Sequence, residues 1–167
     1  MKILFSLMSC CLIIISSCKK SSTETTIPPG NPNNEMNATV SVNGGAAGSF
    51  TATGNSTTFG RRIDPNGDSV IYIDGDVGGG EALITLVNTN SAGSYPFENN
   101  PSTRQYSLCQ FQIINPYQLY FATTGNNPGT VTIESLTSSS IKGSFTSKCV
   151  GADGIVQITN GSFKGEF

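Results

Sequence analysis

The chain has 167 residues, with nine Lys and Arg against eleven Asp and Glu, and it contains neither His nor Trp. A balance this close to neutral provides no basic stripe for nucleic acid. Without an imidazole, Ser-His-Asp and Cys-His catalysis and any His-ligated metal site are excluded.

Met1-Lys2 opens the chain with a minimal positive segment, and an apolar run follows from Ile3 to Ile15. The run is shorter than the roughly 20 apolar residues a spanning helix needs. Its length and flanks fit a secretory signal peptide, with Ser16 and Ser17 at the cleavage position. Ile15-Ser16-Ser17-Cys18 resembles a bacterial lipobox, in which Cys18 is acylated and becomes the mature N-terminus. The resemblance implies a chain anchored in the bacterial cell envelope, with the outer membrane expected, and the membrane as its first partner. Two or more acyl chains anchor stably, because each buried methylene contributes about 0.8 kcal/mol. Residues 1–17 are thus read as a lipoprotein signal peptide and 18–36 as the lipidated cysteine with a Ser/Thr/Pro/Asn tether.

The segment 37–167 reads as a single all-β domain. It is rich in Gly and Asn, lacks sustained helical periodicity, and alternates short Val/Ile/Phe runs with turn signals. Ala38 to Val42 alternates, and Asn43-Gly44 turns it toward Ser49 to Ala52. Strands are expected at Thr57 to Arg62, Ser69 to Asp74 and Glu81 to Asn88, separated by Asp64-Pro65-Asn66-Gly67-Asp68 and Gly78-Gly79-Gly80. Tyr95-Pro96-Phe97 reads as an edge or strand end. Arg104 to Ile114 is a long alternating strand interrupted by Asn115-Pro116, with Gln118 to Ala122 after it. Further strands are Thr130 to Ser135, Ile141 to Lys148, Ile155 to Thr159 and Ser162 to Phe167, with a turn at Asn160-Gly161. The spacing predicts an antiparallel β-sandwich or meandering β-barrel of about 8–11 short strands joined by hairpins.

Cys10 and Cys11 leave with the signal peptide and Cys18 takes the lipid, so Cys109 and Cys149 remain. Strand parity puts both in the core, and an oxidising compartment with an even count favours a disulfide. The loop of about 40 residues would contribute on the order of 4 kcal/mol in the loop-entropy account.

Tyr95, Phe97, Tyr106, Tyr117, Tyr120 and Phe121 are candidates for an aromatic-lined site for a glycan or small molecule, although aromatics in β domains mostly fill cores. Asp64, Asn66 and Asp68 alternate as in a calcium loop, but Ser69 and Gly75 stand where an EF-hand needs Gly and Glu. A solvated turn is the simpler reading, and no metal or other cofactor is expected. The acids Asp64, Asp68, Asp74, Asp76, Glu81, Glu98 and Glu134 fall mostly in turns, so a carboxylate-pair hydrolase is disfavoured and no enzyme is expected.

The segments Gly129 to Ile133, Ile141 to Phe145 and Val156 to Phe163, together with Val42-Asn43-Gly44 and Phe50-Thr51-Ala52, resemble a family of small Bacteroidetes lipoproteins with a β-rich domain of unknown function. The Cys-Lys-Lys start followed by a polar stretch has the same style. The chain lacks the Trp that many members carry in the opening hairpin. The resemblance implies an all-β extracytoplasmic domain and transfers no catalytic residue. The expectation is a lipid-anchored, non-enzymatic envelope protein that is structural or binds an envelope protein. The alternative is a glycan or small-molecule binding module.

Overall fold

The computed structural model describes residues 31–100, 104–122, 125 and 127–167. The signal segment, Cys18 and tether residues 19–30 lie outside the described residues. The described residues form β1 (Glu35–Val42), β2 (Gly48–Thr53), a 3-10 turn (Gly54–Ser56), β3 (Thr57–Ile63), β4 (Ser69–Val77), β5 (Gly80–Val87), β6 (Gly93–Pro96), β7 (Asn99–Asn100), β8 (Gln105–Ile113), β9 (Gln118–Ala122), β10 (Gly129–Leu136), β11 (Ser140–Gly151) and β12 (Gly154–Glu166). No helix among them is long and apolar enough to cross a membrane.

These strands make one antiparallel sheet, ordered β2-β1-β12-β11-β9-β8-β5-β4-β3 and nearly closed into a barrel-like shape. The edge strands β2 and β3 do not pair; side chains close the seam instead. A Cβ added at Gly75 of β4 would press on Met36, Ala52 and Phe50, and one at Gly165 of β12 would overlap the Phe59 ring. Only hydrogen at those two positions lets the sheet edges approach so closely.

Alternation along each strand sends one face inward. Met36, Phe50, Phe59, Ile71, Ile73, Ile84, Leu86, Phe111, Phe145, Ile158 and Phe163 fill the interior with at most 6 % of their surface exposed. Each such side chain contributes about 1.5–3 kcal/mol by leaving water.

The all-β antiparallel expectation holds, with three differences in detail. Strand β1 begins at Glu35, so Glu35 and Met36, assigned to the tether, belong to the sheet; Met36 is fully buried. The described residues hold twelve strands rather than 8–11, because the sheet also takes in the two-residue β7. The last two expected strands are one continuous β12, and Asn160-Gly161 is a bulge, not a hairpin. There the register shifts against both neighbours, and Asn160 takes φ 51°. An Asn-Gly pair signals positive φ, and a bulge uses that conformation as readily as a turn does.

Candidate functional site

The six aromatics singled out as candidates for a ligand site do not form one platform. Phe97 and Tyr120 are core residues, and the Tyr120 hydroxyl donates to Gln118 Oε1 at 2.9 Å. Tyr117 is 65 % exposed on the β8–β9 connection, and Phe121 is half-buried on the outer face of β9. Tyr95 and Tyr106 do come together. They line a recess of about 210 Å³ with Thr89, Ser94, Glu98 and Gln105.

The recess arises where the sheet forks. The upper end of β11 pairs with β9 through Cys149 and Val150, but β9 ends at Ala122. Below that point β11 pairs with β10, which pairs in turn with β6, while β8 takes β7 as its neighbour. Strands β6 and β8 therefore flank a gap, into which the two-residue β7 reaches from the β8 side. Ser107 partly bridges it, with its Oγ donating to the Pro96 carbonyl and its N–H to the Glu98 carbonyl.

Local contacts fix the walls. Asn88, at φ 54°, ends β5 and clamps the turn: its Nδ2 donates to Asp68 Oδ1 and to the Arg104 carbonyl, and its Oδ1 accepts from Ser69 N–H. The next residue, Thr89, is carried to the barrel wall and buried to 1 % exposure. Its Oγ1 is buried without a hydrogen-bond partner. Tyr95 is held by its hydroxyl, which donates to the Ser91 carbonyl at 2.9 Å. Tyr106 stands on the outer face of β8, opposite Val87 and 39 % exposed.

A larger groove of about 490 Å³ lies where the chain enters the sheet, between Pro32, Glu35, Ser135, Lys142, Lys164 and Glu166. Lys142 and Lys164 face each other across β11 and β12, and the repulsion is offset by ion pairs to Glu134 at 2.7 Å and Glu35 at 3.0 Å. The Lys164 contact, then the Asn37 amide, holds the Glu35 carboxyl below its usual range. Asn31 and Asn34 both bond Glu166, at 2.6 and 2.9 Å. This groove seats the chain's own entering segment and satisfies its own charges, so size alone does not make it the better site.

The calcium candidates are engaged otherwise. Asp64 Oδ1 accepts from the N–H groups of Asn66 and Asp68, which lowers its pKa chiefly through the Asp68 amide. Asp68 is bound by Arg104 at 2.6 Å and by Asn88. No group of three or more His, Cys, Asp or Glu side chains among the described residues is placed to hold a metal. Arg61 and Arg62 lie over the rings of Phe167 and Tyr72 at 6.0 and 5.9 Å rather than forming an anion site.

One acid is perturbed upward. Asp74, on the outer face of β4, has its pKa raised to about 6 by burial and then by Glu81 and Asp76, and its Oδ1 has no partner. Asp76 and Glu81 are direct cross-strand neighbours. The three lie on the outside of the sheet, in neither recess, so the raised pKa comes without the cleft that hydrolysis needs.

Cys109 and Cys149 meet beneath the fork, both fully buried, with their Sγ atoms 3.9 Å apart. They are free thiols here, so the expected bridge is not made; a disulfide requires about 2.05 Å. Cys109 and burial around it hold the pair unequal: contact with Cys149 pushes the Cys109 thiol up, and contact with Cys109, aided by Ser147, lowers that of Cys149.

No family model matches the chain, and neither a curated protein nor a solved structure matches it. The site thus rests on its own geometry. Sequence reading found Tyr95 and Tyr106 but missed Thr89 and Ser94, which follow the expected strand Glu81 to Asn88, and Gln105, which lies within the expected strand Arg104 to Ile114.

Proposed function

We propose that the chain is a lipid-anchored, non-enzymatic protein of the bacterial cell envelope, of the small Bacteroidetes lipoprotein type. In this reading it is held in the outer membrane through Cys18 and is structural or binds an envelope partner. The observation that carries the partner-binding role is the filled interior. With the barrel packed by side chains, contact with another molecule falls to the outer surface. One row there is largely apolar: Leu83, Gln110, Phe121, Val150 and Ile155 are successive neighbours across β5, β8, β9, β11 and β12. The first four are half-buried and Ile155 is exposed. In this reading a disulfide-carrying oxidant of the exported compartment takes two electrons and two protons from the Cys109–Cys149 dithiol and is itself reduced to a dithiol. The two sulfurs, 3.9 Å apart as free thiols, close into a bridge that ties β8 to β11 beneath the fork.

The test expresses the whole chain with and without Cys18→Ala and compares membrane and soluble fractions by mass spectrometry. The expected result is an acyl mass on Cys18 and release of the variant from the membrane. An unacylated chain, or a variant retained on the membrane as before, overturns the anchor.

A second reading, a glycan or small-molecule binding module, is favoured by the Tyr95–Tyr106 recess. A thermal-shift screen of the whole chain against a broad panel of small ligands tests it, since a ligand bound to the native state alone raises stability.

A further inference from the structure

We infer that the recess between β6 and β8 is a binding site for a single hydroxyl-rich sugar ring, a pyranose. The inference rests on the binding-module reading and names its ligand. Three features of the site converge on that chemistry.

The first is the lining. Tyr95 and Tyr106 supply aromatic surface, against which the C–H face of a sugar packs. Glu98 supplies an exposed carboxylate, and ligand hydroxyls donate to carboxylates in charge-assisted bonds. No Lys or Arg lines the recess, so a phosphate or carboxylate ligand would meet Glu98 with no compensating cation. An anionic ligand is thereby disfavoured, and so is a purely apolar one, which would strand the polar groups.

The second is the orphaned hydroxyl. Thr89 lines the recess, and its Oγ1 is buried without a partner. A buried polar group without a partner costs about 1–3 kcal/mol. A turn of the Thr89 side chain toward the recess brings Oγ1 to a ligand hydroxyl, which supplies the missing partner as donor or acceptor.

The third is size. At about 210 Å³ the recess is smaller than the roughly 300–1,000 Å³ typical of drug-sized ligand pockets. It takes one ring, with any remaining saccharide extending into solvent past the exposed Glu98 and Tyr106. The walls are also preorganised: Tyr95 is tied to Ser91, Ser94 lies 3.2 Å from the Thr132 hydroxyl, and Asn88 fixes the path leading to Thr89. Ordering costs on binding are therefore small.

The experiment titrates the whole chain, in a buffer and detergent free of sugar, with methyl glucopyranoside, methyl galactopyranoside, methyl mannopyranoside and N-acetylglucosamine. Saturation-transfer NMR reads ligand contact. Tyrosine emission, unobscured because the chain has no Trp, reads the site. Indole, benzoate and inorganic phosphate serve as non-sugar probes. The expected result is saturable binding of at least one pyranoside, with Kd on the order of 1 mM. Glu98→Gln and Tyr106→Ala should each weaken it about 10-fold and Thr89→Val several-fold, whereas Tyr117→Ala should leave it unchanged. Circular dichroism and the melting temperature of each variant separate lost binding from lost fold. No binding of any pyranoside up to about 50 mM, or binding that none of the three recess variants changes, overturns the inference. Binding of indole or benzoate but no sugar, lost in Tyr106→Ala, also overturns the sugar assignment while leaving the binding-module reading standing.

Discussion

The two flanks of the barrel solve the same packing problem differently. On the β1–β12–β11 side, long strands run in nearly continuous register, and glycines alternate with phenylalanines so closely that a Cβ at Gly143 or Gly161 would overlap the Phe163 or Phe145 ring. On the β6–β8 side the ladder forks, β9 and β7 are short, and a recess remains with an unpaired hydroxyl in its wall. The first flank spends its sequence on stability. The second leaves a place where another molecule can supply what the fold does not, and the interruption of the hydrogen-bond ladder is what creates it.

The sharpest way to break that contrast is to remove matched aromatics. Phe163→Ala, on the tight flank, deletes a ring packed beside Phe145 at 6.3 Å between centroids, and should cost about 3–5 kcal/mol in urea unfolding. Tyr106→Ala, beside the recess, removes a part-exposed ring and should cost less than about 1 kcal/mol. Similar losses at the two sites would show that the flanks are energetically alike.

The bulge gives a smaller effect. Asn160 holds φ 51° between β1 and β11, a conformation that costs most L-residues about 1–2 kcal/mol. Asn160→Ala should destabilise by about 1 kcal/mol, and Asn160→Gly should be neutral or slightly stabilising. An Ala variant as stable as the parent would mean that the bulge does not depend on the left-handed residue.

These elements show what the sequence made legible. Alternation identified nearly every strand, because half-buried strands write period 2 directly, and Cys109, Phe111 and Phe145 face inward as their parity demanded. Asn160-Gly161 was misread because the pair encodes a positive φ but not whether a hairpin or a bulge will use it. The recess was only half visible. Its tyrosines stand out in any sequence, but Thr89 is an ordinary loop threonine until β5, β6 and β8 bring it beside Glu98. A fork in a sheet is a long-range pairing choice, and no local pattern records it.

Asp74 sharpens the comparison from outside both flanks. Its folded pKa is near 6 against 3.8 for the free carboxyl. Below about pH 4 the group is protonated in both states, and its stabilising contribution is fully present. As pH rises from about 4 to 6 the unfolded chain releases the proton first, so stability falls across that window and then levels off. The group is part-exposed, so solvent screening reduces the effect below the full shift. Asp74→Asn should therefore flatten the slope and raise stability by about 1 kcal/mol at pH 7. The readout is the urea midpoint at pH 4, 5, 6 and 7, and a variant that keeps the parent's slope would place the strain elsewhere.

The last prediction returns to the fork. Because Thr89 Oγ1 is buried without a partner, Thr89→Val replaces a stranded hydroxyl with a methyl of nearly the same shape. Most core substitutions destabilise, but this one should be neutral or stabilise by up to about 1 kcal/mol, because the desolvated group is removed along with its cost. The same change should weaken sugar binding. Opposite signs in melting temperature and in affinity are what a residue kept for a ligand produces, since a fold optimised for stability alone would not retain the hydroxyl. A Val variant that loses more than about 1 kcal/mol would instead mean that the hydroxyl already has a partner in solution, such as an ordered water, and that the recess wall is complete without a ligand.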